Sequence, residues 1–423
     1  MDTIFALSSG LPPAAIAILR ISGPTAHAAL ETLAGKLPEP RVATMVSLRH
    51  DGDLLDRGLA LRFDAPATVT GEDLVELHLH GGRAVVGGVL SALGRMSGLR
   101  AAEPGEFTRR AFMNGRLDLA EAEGLADLLT AETDSQRRAA LNLAGGALSR
   151  MVADWTQRLL TLAAAVEAQL DFADEGDVEA GLSEAWHDDL DRLIAEIKEV
   201  LDRPPAERLR DGVRVVLAGP PNSGKSTLLN ALVGREAAIT SEIAGTTRDL
   251  IEAPVAIDGV PLILVDSAGL RESGDKIEAI GVSRAQHAIA TADIVLWLGD
   301  RSTPPSHALV ILVHAKSDLG QGAGPRDVAV SALTGSGLNE LVDRFVGLAR
   351  TLLPQEDVVA VNRRQRAALG EVRSELNDAA SQRDLLLVAE SLRVARGVLD
   401  RITGRSGVED MLDSLFGRFC IGK

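Results

Sequence analysis

The sequence has one cysteine, no tyrosine and few aromatic residues, which make up 3% of its 423 positions. A single cysteine excludes an internal disulfide framework. The eight histidines of the sequence show no zinc-ligand spacing. No apolar run approaches the ~20 residues that a membrane-spanning helix needs. The N-terminal residues also lack a basic segment ahead of an apolar one. We therefore expect a cytoplasmic protein that does not enter a membrane.

The composition is that of an ordinary globular protein, with 46% hydrophobic and 25% charged residues. A length of 423 residues predicts two or three domains. The formal net charge of −16 argues against a protein that coats nucleic acid in general, although it does not exclude a local basic surface.

A phosphate-binding loop is indicated near the middle of the chain. The octet at 219–226, GPPNSGKS, fits the pattern G-x-x-x-x-G-K-[ST], and it lies between a β-branched run at 213–217 and a helical run at 227–232. In such a loop the backbone N–H groups face the phosphates, Lys225 contacts the terminal phosphates and Ser226 ligates Mg²⁺. An ordinary glycine-rich turn is the alternative, which the flanking strand and helix disfavour. The predicted nucleotide-binding residues here are Asn222, Ser223, Gly224, Lys225, Ser226 and Thr227.

Two downstream segments predict contacts with the metal and the γ-phosphate. Asp266 begins a D-x-x-G motif directly after the apolar run 262–265. Its carboxylate is expected to hold Mg²⁺ through water, while the amide of Gly269 contacts the γ-phosphate. The polar loop 245–249 contains Thr247, which can close over the metal when a γ-phosphate is bound.

The next motif concerns the nucleotide base. In GTPases an N-K-x-D motif follows a buried strand, and its aspartate accepts hydrogen bonds from both N1 and N2 of guanine. Here Lys316 and Asp318 follow the apolar run 309–313, but Ala315 replaces the asparagine. We therefore expect guanine selectivity with weaker affinity.

A last nucleotide motif follows the apolar run 328–330, where Ser331 and Ala332 are predicted to contact the nucleotide. Five motifs thus occur in the order and at the strand ends that a GTPase requires. This arrangement predicts a P-loop GTPase domain.

The water-orienting group of this GTPase is not the usual one. Ras-type GTPases have a glutamine directly after D-x-x-G, whereas this chain has Leu270, which cannot position a water molecule. Asn222 and the loop 245–247 resemble the potassium-dependent GTPases, in which a monovalent cation occupies the position of an arginine finger. An amide oxygen with loop carbonyl oxygens suits a hard cation. In the alternative interpretation Asn222 only caps the loop.

The first part of the chain shows a mixed α/β pattern, with strands predicted at 15–23, 59–63 and 74–80. Alternation in the last of these puts Glu76, His78 and His80 on one face. Such a face is most often solvated. Metal binding by the two histidines is the alternative, although two ligands without a third are weak support.

After about residue 116 the pattern becomes helical. Apolar residues recur at steps of three and four through 148–170, 186–200 and 385–402, and Arg203-Pro204-Pro205 interrupts the second run before the GTPase motifs begin. The predicted fold is multidomain α/β plus all-α, with a helical domain interrupted by a Ras-like GTPase domain. The predicted domains are 1–116 (mixed α/β), 117–209 (first half of the helical domain), 210–354 (inserted GTPase) and 355–423 (second half of the helical domain).

The C-terminus reads Cys420-Ile421-Gly422-Lys423, and its last two residues do not fit a prenylation box. Cys420 is either a small apolar filler or a thiol delivered to a site elsewhere. With this ending and the domain order above, the whole chain resembles the MnmE (TrmE) family of tRNA-modification GTPases. Further motifs that carry the resemblance are ILRISG at 18–23, TGED at 70–73, HGG at 80–82, PGEFT at 104–108 and NGRLDL at 114–119.

The resemblance implies a function in tRNA modification. Members of the family act jointly with the FAD protein MnmG, in a heterotetramer, on C5 of the wobble uridine of certain tRNAs, where a carboxymethylaminomethyl group is installed. The N-terminal domain would form a homodimer and bind 5-formyltetrahydrofolate or 5,10-methylenetetrahydrofolate as the one-carbon donor. GTP, Mg²⁺ and K⁺ would be the ligands of the GTPase domain.

The resemblance also implies roles for individual residues. Folate would be bound by Arg20, Glu76, Arg116 and Lys423, with Arg116 at a position where the family commonly has lysine. The segment 8–13 (SSGLPP) departs from the glycine-rich segment that the family has at this position.

In the GTPase domain, the family pattern assigns the metal ligands and the catalytic groups. Mg²⁺ would be held by Ser226 and Thr247, and K⁺ by the side chains of Asn222 and Thr246 and the backbone oxygens of Ser241 and Ile243. Glu278 matches the family's water-orienting glutamate. The predicted catalytic residues are Glu278, Lys225, Thr247 and Gly269.

Two other functions remain open. A ribosome-assembly or translation GTPase would share the nucleotide motifs, but it should carry an RNA-binding module in place of the domain with Arg20 and Glu76. A GTP-switched folate-binding scaffold would bind the same ligands without needing hydrolysis.

Overall fold

The structure is a computed structural model that describes residues 2–171, 181–235, 251–267, 286–320, 328–355 and 358–405, together with positions 412, 415–417, 419, 421 and 422. The chain divides into two compact units. The first comprises Met1–Ala126, Leu148–Ala153 and Leu399–Lys423, and the second comprises Asp127–Ala147 and Asp154–Val398. The predicted combination of mixed α/β, helical and P-loop folds is confirmed.

The first unit is built on a six-stranded sheet with the strand order β3-β4-β5-β2-β1-β6. Neighbouring strands are antiparallel except β1 and β6, which are parallel. The strands are β1 (Thr3–Leu7), β2 (Ile16–Ser22), β3 (Thr44–His50), β4 (Asp53–Phe63), β5 (Leu74–His80) and β6 (Leu99–Ala101).

Helices α1 (Ala26–Ala34) and α2 (Arg83–Gly94) cover one face of this sheet, where Leu19, Leu77 and Leu30 are fully buried. The alternation predicted for β5 is confirmed, because Val75, Leu77 and Leu79 face this core. The unit also contains α3 (Glu106–Met113) and most of α4 (Leu119–Thr130).

The helical part of the second unit forms from the amphipathic runs that the sequence predicts. Its helices are α5 (Asp134–Ala144), most of α6 (Ala147–Asp171), α7 (Glu184–Asp202), α8 (Ala206–Arg210), α11 (Arg363–Ser381) and most of α12 (Leu385–Thr403). Helices α7 and α11 pack together although the GTPase segment separates them in sequence. The chain segments on either side of that insertion are hydrogen-bonded to each other, since the Ala206 N–H donates to the Val361 carbonyl at 3.2 Å.

The GTPase part contains a second six-stranded sheet with the order β12-β11-β10-β7-β9-β8. All pairs are parallel except β8 with β9. Its elements are β7 (Val213–Ala218), α9 (Lys225–Arg235), β8 (Ile251–Ile257), β9 (Val260–Asp266), β10 (Ile294–Trp297), β11 (Val310–Ala315), β12 (Val328–Val330) and α10 (Leu338–Leu352). Because these strands are parallel, the carboxyl ends of β7, β9, β11 and β12 lie at one edge of the sheet, where α/β sheets bind ligands.

Across the described residues, every helix is too short or too polar to span a lipid bilayer.

Candidate functional site

The phosphate loop connects β7 to α9, as predicted. Gly219 has φ +151°, and a Cβ there would lie 2.9 Å from the main-chain carbon of Leu298, so a side chain cannot be accommodated without rearrangement. Asn222 is in the left-handed region with φ +63°, a conformation that asparagine tolerates better than most residues. The six residues predicted to bind nucleotide here all lie in this loop or in the first turn of α9.

Lys225 begins α9 and is buried, with 4% of its surface exposed. Its ammonium group donates hydrogen bonds to the carbonyl oxygens of Gly219 at 2.9 Å and Pro220 at 2.8 Å. The loop backbone therefore holds this cation in place. A phosphate would replace neutral carbonyl oxygens by anionic ones, which accept stronger hydrogen bonds.

Two predicted magnesium ligands meet at the carboxyl edge of the sheet. Ser226 Oγ donates a hydrogen bond to Asp266 Oδ2, and Asp266 is fully buried at the end of β9. A hydroxyl and a carboxylate are the oxygen ligands that Mg²⁺ prefers. The residues present therefore fit a magnesium ion.

The segment after β11, which contains the predicted base-contacting residues Lys316 and Asp318, is hydrogen-bonded to the phosphate loop. Lys316, directly after β11, donates from Nζ to the carbonyl oxygen of Asn222 at 2.8 Å. Asp318 follows on an exposed 3₁₀ turn at Ser317–Leu319, and its carboxylate has no hydrogen-bond partner among the described residues. It is therefore open to accept hydrogen bonds from a base.

Ser331 follows β12 and is buried, with 1% of its surface exposed. Its Oγ accepts from the Thr334 N–H at 3.2 Å, and its carbonyl oxygen accepts from the Gly335 N–H at 2.9 Å. These bonds form a tight turn that includes Ala332. The structure thus brings the carboxyl ends of β7, β9, β11 and β12 to one edge, as the motif order predicts.

Ala315 lies close to the phosphate loop. Its Cβ is 3.8 Å from the position that a Cβ on Gly224 would occupy. We expect Ala315→Asn to tighten GTP binding by up to about tenfold. The asparagine side chain is long enough for its amide to form a hydrogen bond with the backbone of the phosphate loop, and one net hydrogen bond is worth about 0.5–1.5 kcal/mol. Titration with a fluorescent GTP analogue measures this. Ala315→Leu adds similar bulk without an amide, so an equal gain in that variant would contradict the explanation.

Several predicted site residues lie outside the described part of the chain. They are Ser241, Ile243, Thr246, Thr247, Gly269, Glu278 and Lys423. Leu270 and Cys420 also lie outside it. Their roles stay predictions.

The first unit brings together two of the predicted folate-binding residues. Arg20 and Glu76 face each other on β2 and β5, and Glu76 Oε1 accepts from Arg20 Nη2 at 2.7 Å and from Nε at 3.1 Å. The guanidinium carbon of Arg20 lies 5.8 Å from the ring centroid of Phe107. About a fifth of each charged side chain is exposed (20% and 19%), so the pair remains accessible to a ligand.

The other two predicted folate contacts are not part of this pair in the described structure. Arg116 donates from Nε to the carbonyl oxygen of Thr68 at 3.0 Å, and so supports the loop that precedes β5. Lys423 is not described, but Gly422 lies against the end of β1, where its carbonyl oxygen accepts from Ser8 Oγ at 2.8 Å. Since β1 pairs with β2, the C-terminal segment reaches the strand next to that of Arg20.

The histidines of β5 have other partners than a metal. His80 Nδ1 lies 2.8 Å from Asp56 Oδ1, and His78 Nε2 lies 3.7 Å from Glu76 Oε2. Among the described residues, the group whose ligand atoms come within 4.8 Å of one another is His27, Asp64 and Asp73, which includes neither histidine. The solvated-face interpretation fits His80, which is 74% exposed, but not Glu76 and His78, which are 19% and 29% exposed. Metal binding by the two histidines stays a prediction.

A buried ionic network in the first unit was not predicted. Arg110, 7% exposed, donates to Asp2 Oδ1 at 2.8 Å, to Glu106 Oε1 at 3.0 Å and to Glu72 Oε2 at 3.1 Å. Burial alone would raise the pKa of Glu106, but hydrogen bonds from Arg100, the Glu103 N–H and Arg110 outweigh it and hold this pKa below its ordinary value. Glu72 and Glu106 belong to the TGED and PGEFT motifs, and those motifs are the only sequence feature that could have pointed to this network.

The parallel sheet, the loop after β7 and the ligands at the carboxyl edge define a P-loop GTPase. Two family models match the chain, "GTP-binding protein TrmE N-terminus" over residues 3–116 and "MnmE helical domain" over residues 119–420. The chain belongs to the MnmE family of tRNA modification GTPases.

Full-length relatives agree with this assignment. The tRNA modification GTPase MnmE of Rhizorhabdus wittichii is 58% identical, covering 100% of this chain and 97% of the relative. That of Erythrobacter litoralis is 56% identical, covering 100% of both. Among solved structures, the G domain of the T. maritima FeoB iron transporter is 26% identical with a TM-score of 0.26, covering 32% of this chain and 98% of that chain.

Proposed function

We propose that this chain is a potassium-dependent GTPase that acts with an MnmG-type FAD protein on tRNA in the cytoplasm. Together they would install a carboxymethylaminomethyl group at C5 of the wobble uridine, with a tetrahydrofolate derivative as the one-carbon donor. The observation that carries the proposal is the presence, in one chain, of the GTPase site and of the Arg20–Glu76 pair on a separate sheet.

The chemistry of the Arg20–Glu76 pair supports folate as its ligand. Glu76 Oε1 accepts both bonds from Arg20, while Oε2 has no hydrogen-bond partner among the described residues. A carboxylate can accept the paired N–H donors of a pterin ring, and cationic side chains suit the carboxylates of its glutamate tail. The bound folate would supply the one-carbon unit, and these residues would bind and orient it.

The outer face of the same sheet supports a homodimer. Ile16, Met45 and Leu59 are 60%, 64% and 37% exposed. Strand register puts them on the face that carries Glu76, because Ile16 pairs with His80, Leu59 with His78 and Met45 with Leu59. A second copy covering this row would remove apolar surface from water next to the proposed folate site.

The side chain of Asn222 supports potassium binding rather than loop capping. It is exposed and has no hydrogen-bond partner in the described part of the chain, whereas a capping asparagine would bond to the loop backbone. Ser241, Ile243 and Thr246 would supply the remaining oxygens, and Thr247 would join Ser226 on Mg²⁺. Lys225 and Gly269 would stabilise charge on the transferred phosphoryl group.

We expect GTP hydrolysis to be at least about tenfold faster in potassium than in sodium buffer of equal ionic strength, since K⁺ would neutralise charge in the transition state. Asn222→Ala should remove this advantage. Because Asn222 has φ +63°, Asn222→Gly serves as the control for backbone strain and should lose the potassium advantage equally. Equal wild-type rates in both salts would contradict cation-assisted hydrolysis.

The Glu278→Ala variant separates this function from a GTP-switched scaffold. If Glu278 orients the attacking water, its loss should lower the rate of hydrolysis by about 10²–10⁴-fold and abolish tRNA modification, while GTP binding persists. Parallel measurements of binding, hydrolysis and modified uridine test this. If the Glu278→Ala variant modifies tRNA at the wild-type rate although it does not hydrolyse GTP, the GTP-switched scaffold is favoured.

A further inference from the structure

The N-terminus of helix α5 makes two contacts within the second unit, one with the β8–β9 turn of the GTPase part and one with the end of helix α8, directly before β7. Ser135 Oγ donates to the carbonyl oxygen of Gly259 at 3.2 Å. Gln136 Nε2 donates to the carbonyl oxygens of Leu209 at 3.0 Å and Arg210 at 3.1 Å. The two adjacent residues therefore hold separate segments of the chain.

The amide of Gln136 is fixed from both sides. Its Oε1 accepts from the N–H groups of Glu132 and Thr133, each at 2.8 Å, while Thr133 Oγ1 accepts from the Gln136 N–H at 3.2 Å. This reciprocal pair is a capping box. The oxygen faces N–H groups and the nitrogen faces carbonyl oxygens, so both contacts require the same orientation of the amide.

Both held segments lead into the nucleotide site. Leu209 and Arg210 precede β7, the strand that ends in the phosphate loop. Gly259 is in the turn between β8 and β9, and β9 ends at Asp266, which is hydrogen-bonded to Ser226. Because β8 and β9 pair along their whole lengths, a displacement at the Asp266 end reaches the turn.

The surroundings of the contact leave room for movement. A cavity of about 50 Å³ lies between α4, α5, α8 and the segment 358–360. Many of its lining residues are small; they include Ala131, Ala139, Ala140, Ala206 and Ala360. The packing of α5 against α8 and the segment 358–360 is therefore incomplete at this point.

We propose that Ser135 and Gln136 are positioning residues that couple the nucleotide state of the GTPase to helix α5 and so to the helical part. When GTP is replaced by GDP, contacts at Asp266 change, the β8–β9 pair moves, and α5 moves with it through Ser135 and Gln136. The inference rests on the proposed function in one respect, namely that GTP hydrolysis drives tRNA modification.

The test is the double variant Ser135→Ala with Gln136→Glu in the full chain. A glutamate at position 136 keeps an oxygen that can accept from the N–H groups of Glu132 and Thr133, so the capping box is preserved. It has no N–H group to donate to Leu209 and Arg210, and its negative charge is placed against their carbonyl oxygens. Amide hydrogen exchange of residues 134–144 is measured with GDP and with a non-hydrolysable GTP analogue. We expect the exchange to differ between the two nucleotides in the wild type and to be alike in the variant. The rate of tRNA modification should fall by about tenfold, with hydrolysis changed less than about twofold.

The control is Thr133→Ala, which removes the Thr133 side chain from the capping box but keeps the contacts of Ser135 with Gly259 and of Gln136 with Leu209 and Arg210. It should lower thermal stability and preserve the dependence of exchange on nucleotide. If wild-type exchange in α5 is the same with both nucleotides, or if the control behaves like the double variant, the coupling is refuted. Because the exchange readout involves no tRNA, it is independent of whether Glu278→Ala abolishes modification.

Discussion

Replacing Asp318 by asparagine should lower GTP affinity by about 10²–10⁴-fold. The carboxylate would accept two hydrogen bonds from guanine, and a hydrogen bond to a charged group is worth about 1.5–3 kcal/mol. An asparagine amide can instead donate to the 2-oxo group of xanthine. We therefore expect the variant to bind xanthosine triphosphate more tightly than GTP, as measured by displacement of a fluorescent nucleotide.

The same experiment has an internal control for folding. Asp318 is exposed and has no hydrogen-bond partner among the described residues, so the thermal stability of the nucleotide-free variant should be unchanged. Ser317→Ala, at the preceding position of the same turn, should leave affinities for both nucleotides near those of the wild type. Unaltered GTP binding by Asp318→Asn would mean that the base is bound by other residues.

Replacing Arg110 by methionine should destabilise the first unit by about 3–5 kcal/mol. Methionine fills much of the same space but leaves the carboxylate of Glu72, 12% exposed, without a cationic partner among the described residues, whereas Glu106 keeps its contact with Arg100. Removing one partner of a buried ion pair strands the other charge. Denaturant-induced unfolding of the wild type and variant measures the loss.

Arg95→Met is the matched control, because Arg95 is 67% exposed and lies 4.0 Å from Asp51. It should cost less than about 1 kcal/mol, and an equal loss in both variants would contradict the explanation. The network also predicts a dependence on pH. Since the folded pKa of Glu106 lies below its ordinary value of 4.5, its contribution is complete above that pH and is lost as the pH falls through the folded pKa.

Local patterns predicted the strands whose residues alternate or are uniformly apolar. Leu74–His80 and Val328–Val330 form strands over the predicted residues. Strand β4 begins at Asp53 rather than at 59, because its first half pairs with β3 and the sequence DLLDRG shows no alternation there. Helix α5 was not predicted, although Thr133 and Gln136 have capping-box spacing.

Site residues could likewise be predicted only where a local sequence pattern positions them. Lys225, Ser226 and Asp266 could be placed together because each ends or follows a parallel strand of one sheet. Arg110 could not be placed, since its partners Glu72 and Asp2 are 38 and 108 positions away and no periodic pattern links them. Long-range ionic contacts depend on how the elements pack, which local propensity does not encode.

The pairing of α7 with α11 sets the order of events during synthesis. When α7 leaves the ribosome, its buried face of Trp186, Leu190 and Ile197 has no α11 to cover it until the GTPase segment has also been translated. At about 5–20 residues per second this delay lasts roughly ten to thirty seconds. Folding of the GTPase segment in that interval brings its two ends together and so reduces the entropy cost of closing the loop.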